Sequence, residues 1–165
     1  MNALRVAVLG GGTSPERRIS LESAAAVLEH LPRDEFAPFP VEILADGTFR
    51  IEDREPVPAA LALADLAQRG VDVVFPALHG RFGEDGTIQG FLQTAGLPYV
   101  GSGVAASALA MDKCRTRDVL SLLGFSMPEA LEIEGVTAEQ AAGAVGESGG
   151  GLDAQFLVEG SDTAL

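Results

Sequence analysis

Apolar and polar residues along this chain change period repeatedly, and each change marks the edge of a strand or a helix. The apolar run at 4–9 has the length of one strand and leads directly into three glycines. Beyond them Leu21, Ala24, Ala25, Leu28 and Leu31 recur at helical spacing, with Pro32 helping to close the helix. Residues 36–44 alternate in part as a strand, and Asp46-Gly47 is a turn signal before 48–51, so a small hairpin is expected. A proline-bounded linker then leads to an alanine- and leucine-rich helix at 59–67.

The stretch 71–78 is almost continuously apolar, the pattern of a strand covered on both faces in a parallel sheet. Ile88, Phe91, Leu92 and Ala95 share one helical face, predicting a helix at 87–95, and 97–101 reads as a short last strand. Residues 104–111 and 114–123 read as one broken helix or two successive ones, ending at Gly124. This alternation predicts an α/β fold, an open and mostly parallel sheet with helices on both faces. Its domain spans 1–124. Past Gly124 the periodicity weakens: 125–133 is compatible with a strand, 138–145 with a weak helix, and Gly149-Gly150-Gly151 with a flexible break. The tail is expected to be mobile and open to proteases.

Composition narrows the partners. A chain of 165 residues with 47% hydrophobic content can bury one proper core, with room for an appendage. A formal charge of -13 with 11 Lys plus Arg argues against nucleic acid and anionic membranes, whose surfaces are met by basic side chains. The pair Arg17-Arg18 is read as a solvated face. The first apolar run has no signal-peptide flanks and is far too short to span a bilayer, which points to a cytoplasmic protein. The single cysteine, Cys114, permits no internal disulfide and is read as a packing residue.

Candidate chemistry lies in two loops. The first, Gly10-Gly11-Gly12-Thr13-Ser14-Pro15-Glu16, follows a strand and precedes a helix. Its backbone N–H groups either face an anion, assisted by the helix dipole, or simply make a tight turn. It is neither the dinucleotide fingerprint, since Pro15 stands where glycine is required, nor a Walker A loop. Glu16 either caps backbone donors or binds an ammonium group.

The second loop, His79-Gly80-Arg81-Phe82-Gly83-Glu84-Asp85-Gly86, follows the carboxyl end of the buried strand, where ligand sites in open α/β sheets lie. Its glycines let the backbone approach a small ligand. His79 is either a donor to a carboxylate or a structural histidine, and Asp85 is read as a turn or cap residue for the helix near Thr87. With two histidines and one cysteine a catalytic metal site is not expected. No Gly-x-Ser-x-Gly elbow is present for serine hydrolysis.

Taken together, Gly11 to Glu16, Ile19-Ser20-Leu21-Glu22-Ser23, the loop from His79 to Gly90, and Gly101-Ser102-Gly103-Val104 through Lys113 resemble the amino-terminal part of the D-alanine:D-alanine ligases of the ATP-grasp superfamily. The resemblance covers about residues 4–128. It implies a Rossmann-like pre-ATP-grasp domain at 1–124, with 125–165 an incomplete or atypical start of the central ATP-grasp region. The implied reaction uses ATP and Mg2+. ATP phosphorylates one D-alanine, and the amine of a second attacks the acylphosphate to give D-alanyl-D-alanine for peptidoglycan.

Carried over by residue, the resemblance implies that Glu16 meets the ammonium of the first D-alanine and that His79 donates near its carboxylate. Gly11 and Gly12 shape that pocket, and Lys113 reaches the nucleotide phosphates, its alternative being a solvated helix lysine. Residues 135–165 show neither the strand lysine nor the serine loop of the family, and no magnesium ligands. The expectation is a ligase chain inactive alone, the alternative a non-catalytic small-ligand or subunit-interaction domain. Expected partners are D-alanine and either a second copy, as homodimers are common in the family, or a separate ATP-grasp half.

Overall fold

The computed structural model describes residues 3–127. Four strands, Leu4–Gly11 (β1), Phe36–Ile43 (β2), Phe49–Ile51 (β3) and Val73–Pro76 (β4), form one sheet in the order β3-β2-β1-β4. β1 pairs in parallel with β2 and β4, and β2 pairs antiparallel with β3 as the expected hairpin. The helices are Arg17–His30 (α1), Ala59–Gln68 (α2), Thr87–Thr94 (α3), Val104–Met111 (α4) and Lys113–Leu122 (α5). Two compact units result, 1–111 with the sheet and α1 to α4, and 112–165, of which α5 is the described element.

The period of two along β1 explains why helices cover both faces. Ala7 and Leu9 enter a core with Leu63 and Leu66 of α2 and Ile88 and Leu92 of α3, whereas Val6 and Val8 pack with Ala24, Val27 and Leu28 of α1. Gly10 is required by that second contact, because a Cβ there would stand 2.6 Å from the Ala24 Cβ. Close helix-to-strand packing thus depends on a missing side chain.

Two prolines inside β2 would ordinarily argue against a strand flanked on both sides. They are tolerated because β3 pairs only with Val41 to Ile43, while the carbonyl of Pro40 accepts from Glu52 N at 3.0 Å on that outer side. Pro40 therefore turns its missing donor away from β1. At the hairpin, Asp46 Oδ1 accepts from Thr48 N and Oγ1 at 2.9 and 2.7 Å.

The expected strand at 97–101 shrinks to a single bridge, Val74 with Tyr99. Val74 N donates to Pro98 O and Val100 N to Val74 O, but Pro98 has no N–H to continue the ladder. Likewise the apolar run at 71–78 is strand only over β4; Ala77 and Leu78 are buried as the chain turns into the second loop. Of the expectations past Gly124, residues 125–127 carry no regular secondary structure. The expected helix, glycine break and mobile tail lie outside the described residues.

Candidate functional site

Sheet order decides where the two loops go. From β1 the chain crosses to β2 on one side and returns to β4 on the other, so the loops after β1 and β4 leave neighbouring strands at their carboxyl ends. That is the topological switch point at which open α/β sheets form ligand crevices. Three serines stitch the loops together. Ser14 Oγ donates to His79 O at 2.9 Å, the buried Ser20 Oγ accepts from Gly11 N at 2.9 Å and donates to Ala77 O at 2.7 Å, and Ser23 Oγ lies 2.9 Å from His79 Nε2.

Glu16 occupies the N-cap position of α1, yet its side chain makes no capping hydrogen bond. Ser14 Oγ takes the neighbouring donor instead, accepting from Glu16 N at 3.2 Å. The capping reading of this carboxylate is therefore set aside. Glu16 is exposed, and its Oε2 lies against Gly80, where a Cβ would approach to 2.4 Å. An acidic oxygen thus stands at the backbone of the second loop without an ionic partner among the described residues.

Gly11 and Gly12 have φ of +91° and +106°, in the left-handed region that favours glycine. Their N–H groups are both occupied, by Ser20 Oγ and by Ile43 O at 2.8 Å. Of the two readings of the glycine loop, the tight turn holds for these two residues, and an anion finds neither donor free. A Cβ on Gly11 would lie 2.3 Å from Ile43 O. At Gly12 a Cβ would meet only Leu78, at 3.9 Å.

Arg17 departs from the solvated-face reading. It is half-buried, its guanidinium reaching Ile43 O and the Glu42 carboxylate, and so ties α1 to the end of β2. Arg18 does face solvent, paired with Glu22 one turn on. The difference is one of helical phase.

The second loop is braced by its own carboxylates. Glu84 Oε2 accepts from Gly80 N at 2.7 Å, and Asp85 accepts from Phe82 N at 2.8 Å and Thr87 N at 2.9 Å. Asp85 is the turn brace the sequence suggested. Burial opposes its ionisation, but the N–H groups of Phe82 and Thr87 and the Thr87 hydroxyl outweigh it and hold the carboxyl below its ordinary 3.8. Phe82 itself sits at φ +75° with 45% of its surface exposed, a bulky residue held in the left-handed region by this bracing. His79 is partly exposed, with Nδ1 3.9 Å from Glu84 Oε1.

Lys113 opens α5, beside the N-cap Asp112, whose side chain accepts from Arg115 N at 2.9 Å. Its ammonium is exposed and has no partner among the described residues. Cys114 follows it, half-buried. Among the described residues no group of three or more His, Cys, Asp or Glu is placed to hold a metal ion, and no helix is long and apolar enough to cross a membrane. Sequence reasoning placed Ser14, Ser20 and Ser23 inside its motifs but assigned none of them a role. Ser20 and Ser23 carry a detectable signal, a polar pair at i and i+3 on a helix whose adjoining face is buried.

The fold is an open α/β domain whose two candidate loops meet at the switch point of its sheet. Residues 5–65 and 56–102 match the sequence profile of the family described as D-ala D-ala ligase N-terminus. A D-alanine--D-alanine ligase of Nitrosomonas europaea is 46% identical over 125 residues, covering 76% of this chain and 36% of that protein. One from a Janthinobacterium species is 43% identical over 164 residues, covering 98% of this chain and 46% of that protein. Among solved structures, the VanG D-Ala:D-Ser ligase of Enterococcus faecalis matches with a TM-score of 0.69 at 33% identity, over 90% of this chain and 50% of that one. The D-alanine-D-alanine ligase of Coxiella burnetii gives 0.69 at 27%, over 88% of this chain and 49% of that one. The chain belongs to the D-alanine:D-alanine ligase family, in its amino-terminal domain. It spans 36% and 46% of the length of the two relatives named.

Proposed function

We propose that this chain supplies the first-substrate wall of an ATP-dependent D-alanine:D-alanine ligase that makes D-alanyl-D-alanine for peptidoglycan in the cytoplasm. The observation carrying this reading is the Glu16 carboxylate, exposed, uncapped and set against Gly80 of the loop that also bears His79. A zwitterionic amino acid needs an anion for its ammonium and a donor for its carboxylate. Glu16 and His79 are those two groups, on loops that Ser14 and Ser23 tie together. Gly11 lets the first loop turn tightly against Ile43, and Gly12, with only Leu78 near its missing Cβ, adds no side chain beside the loop of Glu16, which suits a ligand as small as alanine.

ATP supplies the phosphoryl group that activates the first carboxylate in such a ligase. The described residues fit one contact to it, the unpartnered ammonium of Lys113. They do not form a magnesium site, and no step is routed through that ion. The chain spans less than half the length of the relatives named, and on this reading the remaining groups of the reaction lie outside these 165 residues. The chain of 165 residues alone is accordingly expected to bind D-alanine without releasing ADP.

Calorimetric titration of the chain with D-alanine tests the assignment. Binding of D-alanine that weakens about tenfold or more in E16Q supports it, the scale of one charge-assisted contact. Equal affinity of the wild type and E16Q would remove Glu16 from the site.

A further inference from the structure

His79 is oriented from outside its own loop. Ser23, half-buried on α1, places its hydroxyl 2.9 Å from Nε2, inside hydrogen-bond range, whereas Glu84 Oε1 stands 3.9 Å from Nδ1, beyond it. Glu84 is itself fixed, because its other oxygen accepts the Gly80 N–H at 2.7 Å. A serine hydroxyl can either donate to an imidazole nitrogen or accept from it, so the surroundings choose. A carboxylate on the Nδ1 side attracts a proton there and leaves the Nε2 lone pair to accept the Ser23 O–H.

We propose that Ser23 is a positioning residue that, by donating to Nε2 while Glu84 faces Nδ1, holds His79 in its Nδ1–H tautomer and so leaves Nδ1 as the nitrogen that donates to a ligand carboxylate. This rests on the reading of His79 given under the proposed function. It adds that the donating edge is Nδ1, on the Glu84 side, and that Nε2 is already engaged by α1. Ser23 serves no evident helix-forming purpose, since alanine is the better helix former and stands at the next three positions. A Ser23→Ala chain is therefore expected to fold.

The test uses the full chain, which has only two histidines. Long-range proton–nitrogen correlation NMR, recorded about two units above the ordinary imidazole value of about 6.5, reads each ring's tautomer, and His30→Gln assigns the signals. The wild type is expected to show His79 as Nδ1–H alone, Ser23→Ala a mixture of tautomers, and Ser23→Thr the wild-type pattern. Titration with D-alanine is expected to show about fivefold weaker binding in Ser23→Ala, the scale of one neutral hydrogen bond, with recovery in Ser23→Thr. An Nε2–H ring in the wild type, or an unchanged ring in Ser23→Ala, overturns the proposal. A changed tautomer with unchanged affinity overturns its link to binding. Failure of the wild type to bind D-alanine would instead remove the underlying site reading, while the tautomer spectra still decide the contact between Ser23 and His79.

Discussion

Replacing Gly80 with alanine separates backbone strain from the position of the Glu16 carboxylate. At φ +74° an alanine carries a left-handed penalty of about 1–2 kcal/mol. Its Cβ would also stand 2.4 Å from Glu16 Oε2 and 3.3 Å from Ser14 Oγ. Because Glu16 is exposed, that carboxylate can swing aside at little cost to stability, so the steric term moves the side chain rather than unfolding the domain. Melting should fall by about 2–8 °C, and D-alanine binding should weaken by about 10–150-fold as the charge-assisted contact is lost.

Gly47→Ala is the matched control. It carries a similar strain at φ +81° but has no atom within 4 Å of its Cβ, so it should lower the melting temperature by the same amount and leave binding unchanged. Melting by circular dichroism and titration calorimetry on both variants check the reasoning. Binding of D-alanine by Gly80→Ala at wild-type affinity would refute it.

Two further outcomes concern stability. Ser20→Ala strands the buried N–H of Gly11 and the carbonyl of Ala77, and urea denaturation should show a loss of about 2–4 kcal/mol. Asp85 has its folded pKa below the ordinary 3.8, so its stabilisation is present above that value and is lost as pH falls through the lower folded one. Asp85→Asn should remove this part of the acid dependence, which urea melts below about pH 5 will read.

Most of the fold was legible along the chain because burial repeats with the backbone period. The apolar run in β1 alternates between two helical layers, and residues 87–95 show their buried face at helical spacing, so α3 is legible in the sequence. The short pairing at 97–101 was overestimated because its hydrophobicity is real, Leu97 being buried, while Pro98 cannot extend a ladder. Arg17 and Arg18 were indistinguishable as a sequence pair. They differ only in which way the helix turns each of them.

The motifs named the candidate residues, since glycine, acid and histidine in two loops after strands restrict the chemistry that can occur there. Their meeting came from the order of strands in the sheet, which sets Ser14 against His79 across 65 positions of chain. Whether Glu16 capped its helix, whether the glycine N–H groups were free, and which nitrogen of His79 was engaged were likewise matters of three-dimensional partnership. Periodicity records which side of an element is buried, because burial acts on every residue of that side. A hydrogen bond between distant side chains leaves no period, because it depends on the placement of two atoms brought together by the packing of everything between them.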